Sequence, residues 1–140
     1  MKEYITNSVA ETAKVAQDLA KTLKGNETLA LFGNLGSGKT VFVKAMAKEF
    51  KIKDTVTSPT FVLMKVYDVK SDKIKQFVHV DCYRLENKED LADIGLADYL
   101  NNPQAVTVIE WAEKITNLPE DTIRINIEYL DDEKRKIIIN

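Results

Sequence analysis

The sequence is short of the residues that several function classes require. Its one cysteine, Cys82, excludes an internal disulfide and a cysteine-based zinc site. With three prolines and five glycines in 140 residues, there is no linker, internal repeat or low-complexity tract. No apolar run approaches membrane-spanning length, and Met1-Lys2-Glu3-Tyr4-Ile5 reads as the start of a strand, not as a signal peptide. Basic residues are in slight deficit: 20 Lys and Arg stand against 22 Asp and Glu, and the arginines are three, Arg84, Arg124 and Arg135. A protein that grips nucleic acid unaided carries a basic face, so strong unaided binding to RNA or DNA is not expected. These absences point to one soluble domain over residues 1–140, in a reducing cytoplasm, with a core that the 44% hydrophobic content can build.

Against this background one stretch stands out. Gly33-Asn34-Leu35-Gly36-Ser37-Gly38-Lys39-Thr40 fits G-x-x-x-x-G-K-[ST], the P-loop that cradles nucleotide phosphates. Its glycines allow a backbone path in which successive N–H groups point into one anion-binding concavity. The expected phosphate contacts are Gly33, Leu35, Gly36, Ser37, Gly38, Lys39 and Thr40. Lys39 supplies a mobile positive charge, and the Thr40 hydroxyl is suited to ligate Mg²⁺. A helix opening there turns its positive dipole end toward the phosphates. Context supports the motif: the apolar run Thr28–Phe32 precedes it, and a stretch from Lys39 to Lys51 follows with Val43, Ala47 and Phe50 at helical spacing.

The rest of the chain reads as alternating elements. Tyr4-Ile5-Thr6 is a short strand. Ser8 and Glu11 form a capping box for a helix whose buried stripe is Val9, Ala13, Ala16, Ala20 and Leu23, ended by Gly25. After a polar connector over 54–60, Phe61 to Tyr67 and Gln76 to Asp81 are strands, with a turn over 68–73. Asn87 caps a helix through about Ile94, Gly95 stops it, and Leu96 to Leu100 gives a further helical turn. Ala105 to Ile109 is a buried strand. Thr122 to Tyr129 places Ile123, Ile125, Ile127 and Tyr129 on one face, and Lys134 to Ile139 returns antiparallel after Asp131-Asp132. The expected fold is α/β: a P-loop NTPase-like sandwich with central parallel strands and an antiparallel C-terminal hairpin.

In an open parallel sheet, ligands sit beyond the carboxyl ends of the strands. Two acids end central strands here, Asp81 and Glu110, and together they meet the needs of a phosphate-bound Mg²⁺ and of a water-positioning group. The sequence leaves open which acid does which. Ser58-Pro59-Thr60 falls where a γ-phosphate sensor would lie, so Ser58 and Thr60 are candidate switch residues. His79 shares a face with Asp81 and reads as a packed structural histidine. Trp111 reads either as core or as an exposed anchor for nucleotide or partner. Arg84 reads equally as a phosphate contact or as a structural ion-pair member.

The P-loop, Ser58-Pro59-Thr60-Phe61, His79-Val80-Asp81-Cys82-Tyr83-Arg84-Leu85 and Ile109-Glu110-Trp111, in this order and spacing, closely resemble the TsaE (YjeE) family over nearly the whole chain. The resemblance implies a small bacterial ATPase of tRNA threonylcarbamoyladenosine biosynthesis. Such a protein hydrolyses ATP weakly alone and supports turnover of the TsaD–TsaB pair, reaching tRNA only through those partners. It further implies catalytic roles for Lys39, Asp81 and Glu110, Mg²⁺ contacts from Thr40 and Glu110, and an adenine near Thr6 to Val9. Two other readings of the P-loop are a small-molecule kinase, which the scarcity of arginines disfavours, and a non-catalytic nucleotide-dependent switch.

Overall fold

The structure is a computed structural model that describes residues 1–34, 36–53, 64–88 and 95–140. Leu35, Ser58, Pro59, Thr60, the first residues of the strand expected from Phe61, and all but the first two residues of the helix expected over 87–94 lie outside the described residues.

Among the described residues, seven strands form one mixed sheet: β1 (Lys2–Thr6), β2 (Thr28–Phe32), β3 (Met64–Asp68), β4 (Gln76–Asp81), β5 (Ala105–Glu110), β6 (Ile123–Tyr129) and β7 (Arg135–Ile139). Their order is β1-β7-β6-β2-β5-β4-β3. The four middle strands, β6, β2, β5 and β4, run parallel, whereas β3, β7 and β1 attach antiparallel. The expected arrangement, parallel at the centre and antiparallel at the margins, is present. β2 is buried on both sides, as its unbroken apolar run requires. Leu29 and Leu31 face one core, and Ala30 faces the other.

Helices α1 (Val9–Thr22) and α2 (Lys39–Glu49) cover the first face, packing Ala16, Ala20, Phe42, Val43 and Met46 against Leu29, Leu31, Phe77, Val106 and Val108. Among the described residues, the second face carries only short cover. α3 (Ala97–Leu100) and the segment after β5 enclose Ala30, Val78, Val80, Cys82 and Ile109 together with Leu96, Ala112 and Ile115.

Local rules explain α1 and also correct its sequence reading. The Ser8 hydroxyl accepts from the Glu11 N–H, and the Glu11 carboxylate accepts from the Asn7 N–H, one residue before the usual target of a capping box. The buried stripe is Thr12, Ala16 and Ala20, at spacings of four. Val9 is exposed instead, because it opens the helix before the packed stripe begins. Thr12 takes the first stripe position because its hydroxyl is satisfied by that of Thr6, at 2.7 Å. Gly25 does not cap the helix. α1 stops at Leu23, which is extended, and Gly25 lies further on with φ +118°, where a Cβ would sit 2.2 Å from the Pro103 carbonyl oxygen. In the hairpin, Ile123, Ile125, Ile127 and Tyr129 alternate along β6 as expected; Ile125 and Ile127 are buried, and Tyr129 at the strand end is exposed. Its hydroxyl donates to the Asp132 carboxylate, and the Arg135 guanidinium lies 4.6 Å from its ring centre.

Candidate functional site

β2 delivers the chain to the P-loop, and α2 begins at Lys39. Gly33, Gly36 and Gly38 all have positive φ. At Gly33 the space is also closed. A Cβ there would meet the Ile127 carbonyl oxygen and the Ser37 hydroxyl, each at 2.6 Å, so no larger residue fits between the loop and β6. The loop is braced from β7. Arg135 Nε donates to the Ser37 carbonyl at 2.8 Å, and its Nη2 reaches the Gly36 carbonyl at 3.3 Å. With these carbonyls turned toward Arg135, two of the loop's backbone acceptors are satisfied from behind.

Lys39 is buried, and its ammonium donates to the carbonyls of Gly33 and Asn34. The same ammonium sits 3.9 Å from the centre of the Trp111 ring, within cation–π range. Burial lowers the lysine below its ordinary range, while the charges of Glu113, Glu110 and Asp81 pull the other way.

The parallel pairing of β4 and β5 makes Asp81 and Glu110 direct cross-strand partners, so both acids leave the sheet on the face covered by α2. Glu110 is buried and engaged at both oxygens. Oε1 accepts from the Thr40 hydroxyl at 3.1 Å, and Oε2 lies 2.5 Å from His79 Nε2. Asp81 is half-buried, and its Oδ1 accepts from the Tyr83 N–H at 2.9 Å. Burial raises the Asp81 carboxyl above the ordinary carboxylate range; the Tyr83 N–H opposes this, Glu110 adds to it, and His79 and Lys39 oppose it.

Immediately after Glu110 the backbone turns sharply. Trp111 has φ 58° and ψ 45°, a left-handed conformation that a bulky residue adopts only where its surroundings impose it. Those surroundings are the Tyr83 ring at 5.2 Å, the Lys39 ammonium, and a short 3-10 turn over Ala112–Lys114. Lys114 anchors the neighbouring segment by donating to the carbonyls of Tyr83 and Leu85, both at 2.7 Å. Trp111 is thus partly buried beside Lys39.

The structure therefore brings together Lys39, Thr40, Asp81, Glu110 and Trp111. Arg84 is exposed and forms no ion pair among the described residues. Three residues with a part in this geometry were not singled out from the sequence as site residues. His79 was expected to be packed and is, but its ring also meets Glu110. Glu113 acts on Lys39 through charge, and Arg135 holds the loop from 98 residues away. The only sequence signal for Glu113 is its spacing, three residues after Glu110 at the start of a turn. Arg135 has no local signal at all.

Among the described residues, no group of three or more His, Cys, Asp or Glu could hold a metal ion by itself. The Thr40 hydroxyl and the Glu110 carboxylate do converge, giving hard oxygen donors that suit a cation sharing its coordination with phosphate oxygens and water. A narrow cleft alongside, lined by Val9, Thr12, Gly38, Val41, Asp132 and Arg135, continues from the start of α2 toward the start of α1.

A buried parallel strand, a glycine-rich loop opening a helix, and an acid at the tip of each of two neighbouring strands define a protein of the P-loop NTPase fold class. The match to the family described as "Threonylcarbamoyl adenosine biosynthesis protein TsaE" spans residues 6–137. The chain belongs to the TsaE family. It is 38% identical over 141 residues to the tRNA threonylcarbamoyladenosine biosynthesis protein TsaE of Aquifex aeolicus, covering 99% of this chain and 96% of that one. The protein of the same name from Rickettsia bellii is 40% identical over 135 residues, covering 95% and 90%. The crystal structure of YdiB from Bacillus subtilis superposes with a TM-score of 0.72 at 29% identity, covering 99% of this chain and 83% of that one. No helix among the described residues is long and apolar enough to cross a membrane.

Proposed function

We propose that this chain is the ATP-hydrolysing accessory subunit of a bacterial machinery that makes N6-threonylcarbamoyladenosine in tRNA, acting in the cytoplasm as one P-loop ATPase domain over residues 1–140. Membership of the TsaE family supports the pathway. The hydrogen bond from Thr40 to Glu110 is the observation that carries the chemistry, because it ties the phosphate loop to an acid 70 residues further along the chain. On this reading Gly33, Leu35, Gly36, Ser37, Gly38 and Lys39 hold the triphosphate, and the nucleoside end lies near Thr6 to Val9.

Thr40 and Glu110 would hold Mg²⁺, which when bound screens phosphate charge and orients the oxygens. The chain's own groups supply the rest. The Lys39 ammonium carries positive charge to the phosphates, and burial strengthens its attraction for them. Asp81, half-buried and beside Glu110, orients water and accepts its proton. The net charge of −2 agrees with a subunit that meets tRNA only through TsaD and TsaB.

ATP turnover measured with and without TsaD and TsaB tests this directly. Slow release of inorganic phosphate, stimulated by the pair and required for sustained tRNA modification, is expected. Phosphate passed to an acceptor molecule, or modification that continues undiminished with Glu110→Gln, would contradict it.

A further inference from the structure

His79 lies wholly inside the protein, and its only polar link among the described residues runs to Glu110. The register explains the meeting. His79 pairs with Val108 and Asp81 with Glu110, so the imidazole and the Glu110 side chain are diagonal neighbours on one face of β4 and β5. An ionised carboxylate can only accept, so the shared hydrogen must sit on Nε2. The other ring nitrogen, Nδ1, is buried without a partner. In the Nε2–H tautomer that nitrogen is a bare lone pair, whereas the opposite tautomer would bury an unmatched N–H and set two acceptors against each other.

A leucine or phenylalanine would fill this apolar position without leaving a nitrogen unsatisfied. The imidazole therefore has one polar use here, at the carboxylate. Glutamate has three side-chain torsions to fix, and one hydrogen bond from Thr40 to Oε1 leaves the carboxylate free to swing about that contact. A second bond at Oε2, from a ring held rigid in the core, removes that freedom.

We propose that His79 is a positioning residue for Glu110: its Nε2–H locks the carboxylate in the orientation that meets Thr40. The inference rests on the reading of Glu110 as the acid that holds the cation. It assigns His79 no contact with nucleotide and no proton transfer. Its effect is on how well Thr40 and Glu110 are arranged before any ligand arrives, as expected for hydrogen bonds that orient ligating groups.

The test pairs two readouts. ¹⁵N-edited NMR of the ligand-free protein should show His79 protonated at Nε2 and bare at Nδ1; the reverse tautomer would overturn the inference, whatever the variants do. His79→Leu should raise the Mg²⁺ concentration for half-maximal ATP hydrolysis by about 10–100-fold, while metal-free ATP affinity changes by less than about twofold. His79→Gln, which restores an N–H, should recover part of the loss. A folded His79→Leu with unaltered Mg²⁺ dependence would overturn the inference, as would a folded His79→Gln no better than His79→Leu. Glu110→Gln separates the two levels. If it leaves the Mg²⁺ dependence unchanged, the reading of Glu110 falls first. If it shifts the dependence and His79→Leu does not, the positioning role alone falls.

Discussion

Asp81 carries opposite demands at a single carboxyl. Burial holds it above the ordinary carboxylate range, and the neighbouring Glu110 charge acts in the same direction. A group whose pKa is higher folded than unfolded stabilises the protein fully below the unfolded value, and that contribution is lost as pH rises through the folded one. Ionised Asp81 is therefore a burden on the fold at neutral pH. Asp81→Asn keeps an acceptor for the Tyr83 N–H and removes the charge. Its thermal midpoint at pH 7 should exceed that of the unaltered protein, the gap closing as pH falls through the carboxylate range, while ATP turnover drops by about 10²–10⁴-fold. A lowered midpoint at pH 7 would contradict this account. Cys82, next in the chain, is fully buried, and burial pushes its thiol up to about 12. Alkylation at pH 8 should be slow in the native protein and fast in urea, with mass spectrometry counting modified chains. At this scale the phosphate loop was legible because its residues are contiguous. The link from His79 to Glu110 was not, because it depends on which residues of β4 and β5 face each other across 31 positions of sequence.

Elements were legible where local chemistry decides them. The Ser8 cap, the strand before the P-loop and the terminal hairpin all follow from caps, apolar runs and alternation. Errors arose where contact with another element decides. Val9 satisfies helical spacing but precedes the packed stripe. Gly25 is the sharpest case, since its requirement comes from the Pro103 backbone and not from α1. Gly25→Ala should cost roughly 2–3 kcal/mol in urea unfolding, combining a left-handed backbone with a blocked Cβ. A loss below about 0.5 kcal/mol would mean that the two turns separate freely.

For the whole molecule, the sheet order matters more than any single element. β2 lies between β5 and β6, so the strand that feeds the P-loop has a neighbour from each later part of the chain. β5 brings Glu110, and the β6–β7 hairpin brings Arg135 to the back of the loop. Arg135→Ala removes both loop contacts and the stacking on Tyr129, and should lower stability by about 1–2 kcal/mol in urea unfolding. It should also weaken ATP binding while leaving the far edge strands paired, a pattern that hydrogen exchange can resolve. No sequence pattern links position 135 to position 37; only the order of strands in the sheet does.

That strand order has a consequence for biosynthesis. A ribosome emits β2 and the loop early, and by Trp111 it has emitted both acids as well. The nascent chain at that length still has one flank of β2 bare and no guanidinium under Gly36 and Ser37. On the proposed function, capture of ATP should therefore wait for β6 and β7 to clear the exit tunnel. Arrested chains with residues through 120 exposed should fail to retain nucleotide on a filter, and chains exposed through 140 should retain it, making the bound nucleotide a marker of completed folding.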